Sequence, residues 1–214
     1  MPTARFYNEA VYGLTLYDGD KDQKLTLTSN PFDWLEASFF YMNIEDRQKC
    51  RTNPANTEFC QGYKDKGFNF KIRLKEEGRL PAIAIGFNDL AGTGYYGSEY
   101  IVGSYGIGNT DLSFGIGWGN LNGSNNSFKN PFGIFDDSFY KRPTSIEGSG
   151  GKFDLKKYFS GEKASPFFGI SHVFNEKVTF KAEYDSTLTP GKVGHDIHSS
   201  DFSFGLEFNV TENL

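Results

Sequence analysis

The sequence predicts an all-β fold, an antiparallel up-and-down transmembrane β-barrel, with about ten strands in this chain that form part of a larger barrel. Three observations predict it. Apolar residues recur at every second position over many short segments. The connections between those segments alternate between tight and long. An aromatic content of 17%, with 22 Phe and 12 Tyr, coexists with a mean hydropathy of -0.51, so apolar residues fall at alternate positions rather than in continuous runs.

In chain order, the first strands fall at residues 10–17, 24–29 and 35–42. Alternation is plainest at 67–75, where Phe68, Phe70, Ile72 and Leu74 share one face and Asn69, Lys71, Arg73 and Lys75 the other. Residues 81–88, 98–105, 111–118 and 166–173 are further candidates. Residues 177–185 then set Val178, Phe180, Ala182 and Tyr184 against Lys177, Thr179, Lys181, Glu183 and Asp185. The last strand sets Phe202, Phe204, Leu206 and Phe208 against Ser203, Gly205, Glu207 and Asn209. Residues 153–159 are the one short helical candidate.

The tight connections are 30–33, 76–80, 106–110 and 175–176; the longer ones are 18–23, 44–66, 89–97, 119–165 and 186–200. An outer-membrane barrel has short periplasmic turns and long extracellular loops, so its up-and-down order produces this alternation. A β-sandwich has no reason to produce it. Residues 1–214 are therefore expected to form a single barrel region, with 44–66 and 119–165 as long extracellular loops and 30–33 on the periplasmic side.

No run approaches the roughly 18 uncharged apolar residues of a spanning helix, whereas a spanning strand needs about ten residues with every second one apolar. A net charge of -5 supplies no basic field for a phosphate backbone, so nucleic acid is not an expected partner. Cys50 and Cys60, ten residues apart in a polar segment, favour a loop disulfide in an oxidising compartment over a pair of free thiols. The amino end lacks the charged and apolar regions of a signal peptide, and a strand-turn-strand pattern seen at 25–41 and 167–184 breaks off after 202–214. The chain is therefore expected to be a fragment lacking a signal peptide and further C-terminal strands.

With the apolar rows facing lipid, the opposite rows line a lumen that holds Glu36, Lys71, Arg73, Lys181, Glu183 and Glu207, with small residues at Ala82, Ala84, Gly86, Ser113, Gly115 and Gly117. The six charged residues are the candidate binding positions. The stronger expectation is that they pair across neighbouring strands. Tyr12, Tyr17, Trp34, Phe39, Tyr41, Trp118 and Tyr184 lie near strand ends, where aromatic girdles meet headgroups.

Several motifs suggest other chemistry and fail. Gly92, Gly94 and Gly97 spell GxGxxG, but a strand rather than a phosphate-binding helix is predicted to follow. Residues 148–152 resemble a phosphate loop, with Ile146 in place of the first glycine and Phe153 in place of the magnesium-binding Ser or Thr. His195 and His198 lack a helix to align them and a further metal ligand. His172 completes the set of possible bases, yet no serine sits in a nucleophile elbow. No catalytic residue, metal or cofactor is expected.

Residues 1–5, the segment 30–38, the block from Tyr63 to Phe68, the runs 81–89 and 92–100, and Gly115 to Gly119 together resemble the YjbH/GfcD-type outer-membrane proteins of exopolysaccharide and capsule gene clusters. The resemblance spans nearly the whole chain and is weakest at 120–165. It implies a non-enzymatic barrel of the bacterial outer membrane that assists biosynthesis, export or surface retention of a polysaccharide. Its implied partners are outer-membrane lipids, the polysaccharide and export lipoproteins of the same cluster. A porin-like diffusion channel and a soluble carbohydrate-binding β-sandwich are the competing expectations.

Overall fold

A computed structural model describes residues 1–19, 22–52, 58–90, 92, 94–123, 126–143, 155–185, 187, 189–191, 194–196 and 201–209. Its strands are β1 (Tyr12–Asp18), β2 (Asp22–Phe32), β3 (Leu35–Thr52), β4 (Glu58–Lys75), β5 (Ala82–Leu90), β6 (Ser98–Ile107), β7 (Thr110–Gly119), β8 (Phe128–Lys129), β9 (Lys163–Asn175), β10 (Val178–Tyr184), β11 (Thr189–Gly191), β12 (Gly194–Asp196) and β13 (Phe202–Phe208). Ten of them form one antiparallel sheet in the order β1-β2-β3-β4-β5-β6-β7-β9-β10-β13. β8 pairs β9 off that path, and β11 and β12 form a separate hairpin. Among the described residues the sheet is not closed, and β1 and β13 are its edges.

Period-two alternation explains the two faces. The registers place Leu14 opposite Leu27, Phe39 opposite Phe68, Ile72 opposite Ile85 and Ala182 opposite Phe204, so the apolar rows run continuously from strand to strand. The other face carries Glu36, Lys71, Gly86, Tyr100 and Gly117 in neighbouring positions. Between β6 and β7 the turn is two residues long, and Gly108 supplies the positive φ, 58°, that such a tight hairpin requires.

The burial of these faces is inverted relative to a water-soluble sheet. Leu16 is 77% exposed and Phe204 73%, while Ser104 and Ser165 on the opposite face are fully buried. The polar face is covered because the sheet wraps around residues 1–6. That segment touches Lys71 of β4, Ser104 of β6, Asp111 of β7 and Glu183 of β10. Ala4 packs there among Ala82, Ala84, Tyr100, Val102, Leu121 and Phe167.

Three expectations change. Much of the predicted 44–66 loop is strand: β3 runs out to Thr52 and β4 begins at Glu58. Cys50 stands directly opposite Cys60 in this long hairpin, and the two form a disulfide. Ladder pairing supported by that cross-link outweighs the local turn-forming composition. Of the predicted helical candidate at 153–159, the described residues 155–159 hold a single 3-10 turn, Leu155–Lys157, and the same connection holds the turns Pro131–Ile134 and Asp137–Tyr140. Trp118 and Tyr184 do not belong to an exposed girdle, being 1% and 6% exposed. Trp118 stacks on Phe132, and Tyr184 stacks on Phe168 and accepts a hydrogen bond from Asn126 Nδ2. Tyr12, Tyr17, Trp34, Phe39 and Tyr41 are exposed.

Candidate functional site: the polar face and its outer cup

Small residues on the polar face create the space that its contents fill. A Cβ at Gly86 would strike the Tyr100 ring, one at Gly115 the Phe167 ring, and one at Gly117 the Leu121 side chain. Ala82 and Ala84 leave room for Ala4, whose backbone N–H donates to Ser104 Oγ at 2.9 Å. Ser104 in turn shares a 2.6 Å hydrogen bond with Ser113 Oγ.

Charged side chains then fasten the segment. Arg5 Nε reaches both Asp111 carboxylate oxygens at 3.1 Å, and the same guanidinium pairs with Glu77 in the β4–β5 turn. Its hydrogen bond to Asp111 raises the Arg5 pKa above its ordinary value. The Glu77 carboxyl is held below the usual range, first by the Gly106 N–H it accepts and then by Arg5. Lys71 Nζ donates to the Arg5 carbonyl at 2.6 Å, and Lys71 and Arg73 sit 4.5 and 4.6 Å from the Phe6 ring centre.

All six sequence-derived candidates lie on this face, and their partners are protein groups. Lys71 pairs with Glu36 directly across the ladder at 2.9 Å, Lys181 with Glu207, Arg73 with Glu76 at 3.1 Å, and Glu183 with the Met1 ammonium at 3.0 Å. Sequence reasoning missed the segment that organises them. Residues 1–5 read only as an approach to the first strand, because nothing local in them marks a chain that folds back across four strands.

Above Met1 and Pro2 the polar face opens into a cup of about 330 Å³. It reaches from Lys24 of β2 to Asp185 beyond β10, so strands far apart in the sheet order face the same space. Asn69, Asn88 and Asn120 line it with Phe40, Tyr96 and Tyr100. Beside it, Phe40, Met42 and Ile44 form a buried cluster against Tyr63, Tyr95 and Tyr96.

The connection after β7 folds over the opposite face. Asn130 is its hub: Oδ1 accepts from Trp118 Nε1 at 3.0 Å and from the Phe132 N–H, while Nδ2 donates to the carbonyls of Phe139, Phe159 and Gly161. Phe159 packs edge-on against Phe87, Trp118 and Phe132.

The tempting motifs fare as follows. β6 follows Gly97 directly, so the GxGxxG spacing has no helix beside it. His172 Nδ1 shares a 2.8 Å hydrogen bond with Thr110 Oγ1. The segment 144–154, which contains the phosphate-loop resemblance, and His198 lie outside the described residues. Cys50, Glu58 and Cys60 cluster closely, but the disulfide occupies both sulfurs.

The chain is of the all-β class, an antiparallel sheet with an exposed apolar face and a covered polar one. A family model described as exopolysaccharide biosynthesis protein matches residues 1–214, and the chain belongs to that YjbH family. A curated relative from Escherichia coli (strain K12), described as an uncharacterized lipoprotein YjbH, is 32% identical over 99% of this chain. The chain spans 30% of that relative's length. No solved structure matches it.

Proposed function

We propose that this chain is a membrane-embedded, non-enzymatic barrel region of the bacterial outer membrane that assists biosynthesis, export or surface retention of an exopolysaccharide. The observation that carries the reading is the inverted polarity of the sheet. Exposing Leu14, Leu16, Phe114, Phe204 and Phe208 while burying serines and Lys71 is unfavourable in water and favourable in lipid. Family membership supports the process, and the relative's description as a lipoprotein supports an envelope location. Export lipoproteins of the same gene cluster, lipid and the polymer are the partners this reading implies.

A porin-like channel is the second reading. The segment from Ala4 to Phe6 argues against it, because it fills the polar face with hydrogen bonds and ion pairs where a diffusion pore would hold water.

The test is fractionation followed by genetics. The full chain should stay with membranes after alkaline extraction, need detergent for release, and migrate faster on gels unheated than boiled. Deleting the gene should lower surface polysaccharide. Recovery in the aqueous phase without detergent overturns the membrane assignment, and unchanged surface polysaccharide overturns the process.

A further inference from the structure

We propose that the connection from β7 to β9 is a collar at the bilayer boundary: it lies on the outer side of the sheet and rests Ile134, Phe135 and Leu155 in the headgroup and upper acyl region of a phospholipid membrane. This rests on the membrane reading proposed above and locates where the boundary runs along the sheet.

Register places the collar. Phe87, Glu99 and Trp118 stand opposite one another across β5, β6 and β7, one step along the outward rows from Ile85, Ile101 and Ile116. Phe114 further along is 52% exposed, yet Glu99 and Trp118 are each 1% exposed. The connection makes the difference. Phe132 stacks on Trp118, Phe159 packs edge-on against both Phe87 and Trp118, and Arg142 holds the Glu99 carboxylate. A carboxylate in an otherwise apolar outward row is thereby shielded at the end of the sheet remote from the tight β6–β7 turn. The described stretches from Asn130 to Arg142 and from Leu155 to Ser160 therefore lie on the outer side of the sheet.

The backbone of the connection is prepared for a dry neighbour. Irregular chain beside lipid has to satisfy its polar groups within the protein, whereas a loop in water can leave them to solvent. Asn130 Nδ2 donates to the carbonyls of Phe139, Phe159 and Gly161, and the Arg142 guanidinium donates to those of Lys157 and Ser160. Two side chains thus close the carbonyls of a segment whose only regular structure is short 3-10 turns.

The outward side of the connection is apolar where it matters. Ile134 is 82% exposed, Phe135 81% and Leu155 73%, while Phe132 and Phe159 of the same segment turn to the sheet. Lipid is the occupant this position favours, because the connection covers the end of the same outward rows that carry Ile101 and Phe114, and those rows are the ones the membrane reading gives to lipid. Asp136 and Asp137 follow Phe135 directly, and Lys129 and Lys141 flank the turns in sequence. A headgroup layer tolerates such charges and hydrocarbon does not, so the collar belongs at the boundary rather than in the bilayer core.

The experiment uses the full chain folded into phosphatidylcholine vesicles, with unheated gel mobility as the check on insertion. Phe135→Trp and, separately, Phe114→Trp are made in a Trp34→Phe background, and the emission of that background, which retains Trp118, is subtracted. Quenching is compared between lipids brominated near the head of the acyl chain and lipids brominated near its end. Phe135→Trp should be quenched about twofold or more strongly by the shallow bromines, as for a segment roughly 5–10 Å into the headgroup and acyl boundary. Phe114→Trp, mid-strand, should be quenched by the deep ones. Failure to insert, or no quenching at position 114, overturns the membrane reading and the collar with it. Quenching at 114 with none at 135 overturns the collar alone, whether the residue then emits as in water or as against protein. A second readout needs no added tryptophan. Ile134 and Phe135 have little contact with protein, so replacing both with Ser should leave insertion intact, yet raise trypsin cleavage within residues 129–142 in vesicles about tenfold by removing two apolar anchors. Unchanged cleavage in the inserted variant overturns the collar.

Discussion

The Arg142 guanidinium grips the Glu99 carboxylate through two parallel hydrogen bonds, Nη1 to Oε2 at 2.7 Å and Nη2 to Oε1 at 2.9 Å. Glu99 is 1% exposed and also accepts the Phe159 N–H, so one ion pair joins β6 to a connection 43 residues further along the chain. Removing the cation leaves a buried carboxylate without its partner. Arg142→Ala should destabilise the folded connection by about 3–5 kcal/mol. Urea titration and protease cleavage within residues 126–160 check this. Arg142→Lys should recover part of the loss, since it keeps the charge but not the paired geometry.

Phe114 sits mid-strand on the apolar face of β7 and is 52% exposed. Phe114→Arg should cost about 2–4 kcal/mol for folding into vesicles if that face meets lipid. Equilibrium refolding into vesicles measures it. A variant that folds as well as the parent, or becomes more soluble without detergent, removes the basis for a lipid-facing sheet.

Ala4 is 3% exposed among well-packed neighbours. Ala4→Phe should overpack the site, cost about 1–3 kcal/mol, and loosen the segment from the polar face. Planar-bilayer recording should then show transient openings absent from the parent protein. Steady conductance in the parent itself would favour the channel reading.

Glu77 links pH to the same segment. Its folded pKa is lowered, so the stability it contributes is present above its unfolded pKa and is lost as pH falls through the folded value. The protection of the Ala4 amide against hydrogen exchange, relative to its intrinsic rate at the same pH, should therefore fall on acidification below the ordinary carboxylate range. Glu77→Gln should exchange faster at neutral pH and lose that acid dependence.

The Cys50–Cys60 bond closes a ten-residue separation in the β3–β4 hairpin. Replacing both with Ser should cost about 3 kcal/mol by loop-closure entropy, confined to the hairpin's end. Exchange should rise at residues 50–52 and 58–62 while residues 68–74 stay protected.

The strands were largely legible because their signal is local. Ten segments read from alternation correspond to the ten strands of the main sheet, and the residues assigned to each face share that face, from Phe68 and Ile72 on one side to Lys71 and Glu183 on the other. The candidate lumen charges were found by the same rule, and their cross-strand partners follow from register, as with Glu36 and Lys71. The cup was not legible. Asn69 of β4, Asn88 of β5 and Asn120 just after β7 are far apart in the sequence and have no shared motif.

The sequence by itself determined the all-β antiparallel class, the ten strands on the main path of the sheet and the side of it on which each residue falls, because side-chain direction in a strand depends on position parity alone. Tertiary structure decided what the polar face contains and what covers the apolar one. Arg5 and Asp111 are 106 residues apart, and Glu99 and Arg142 are 43 apart. Such contacts depend on which distant segments compete for space on each face of the sheet, and no local periodicity encodes the outcome of that competition.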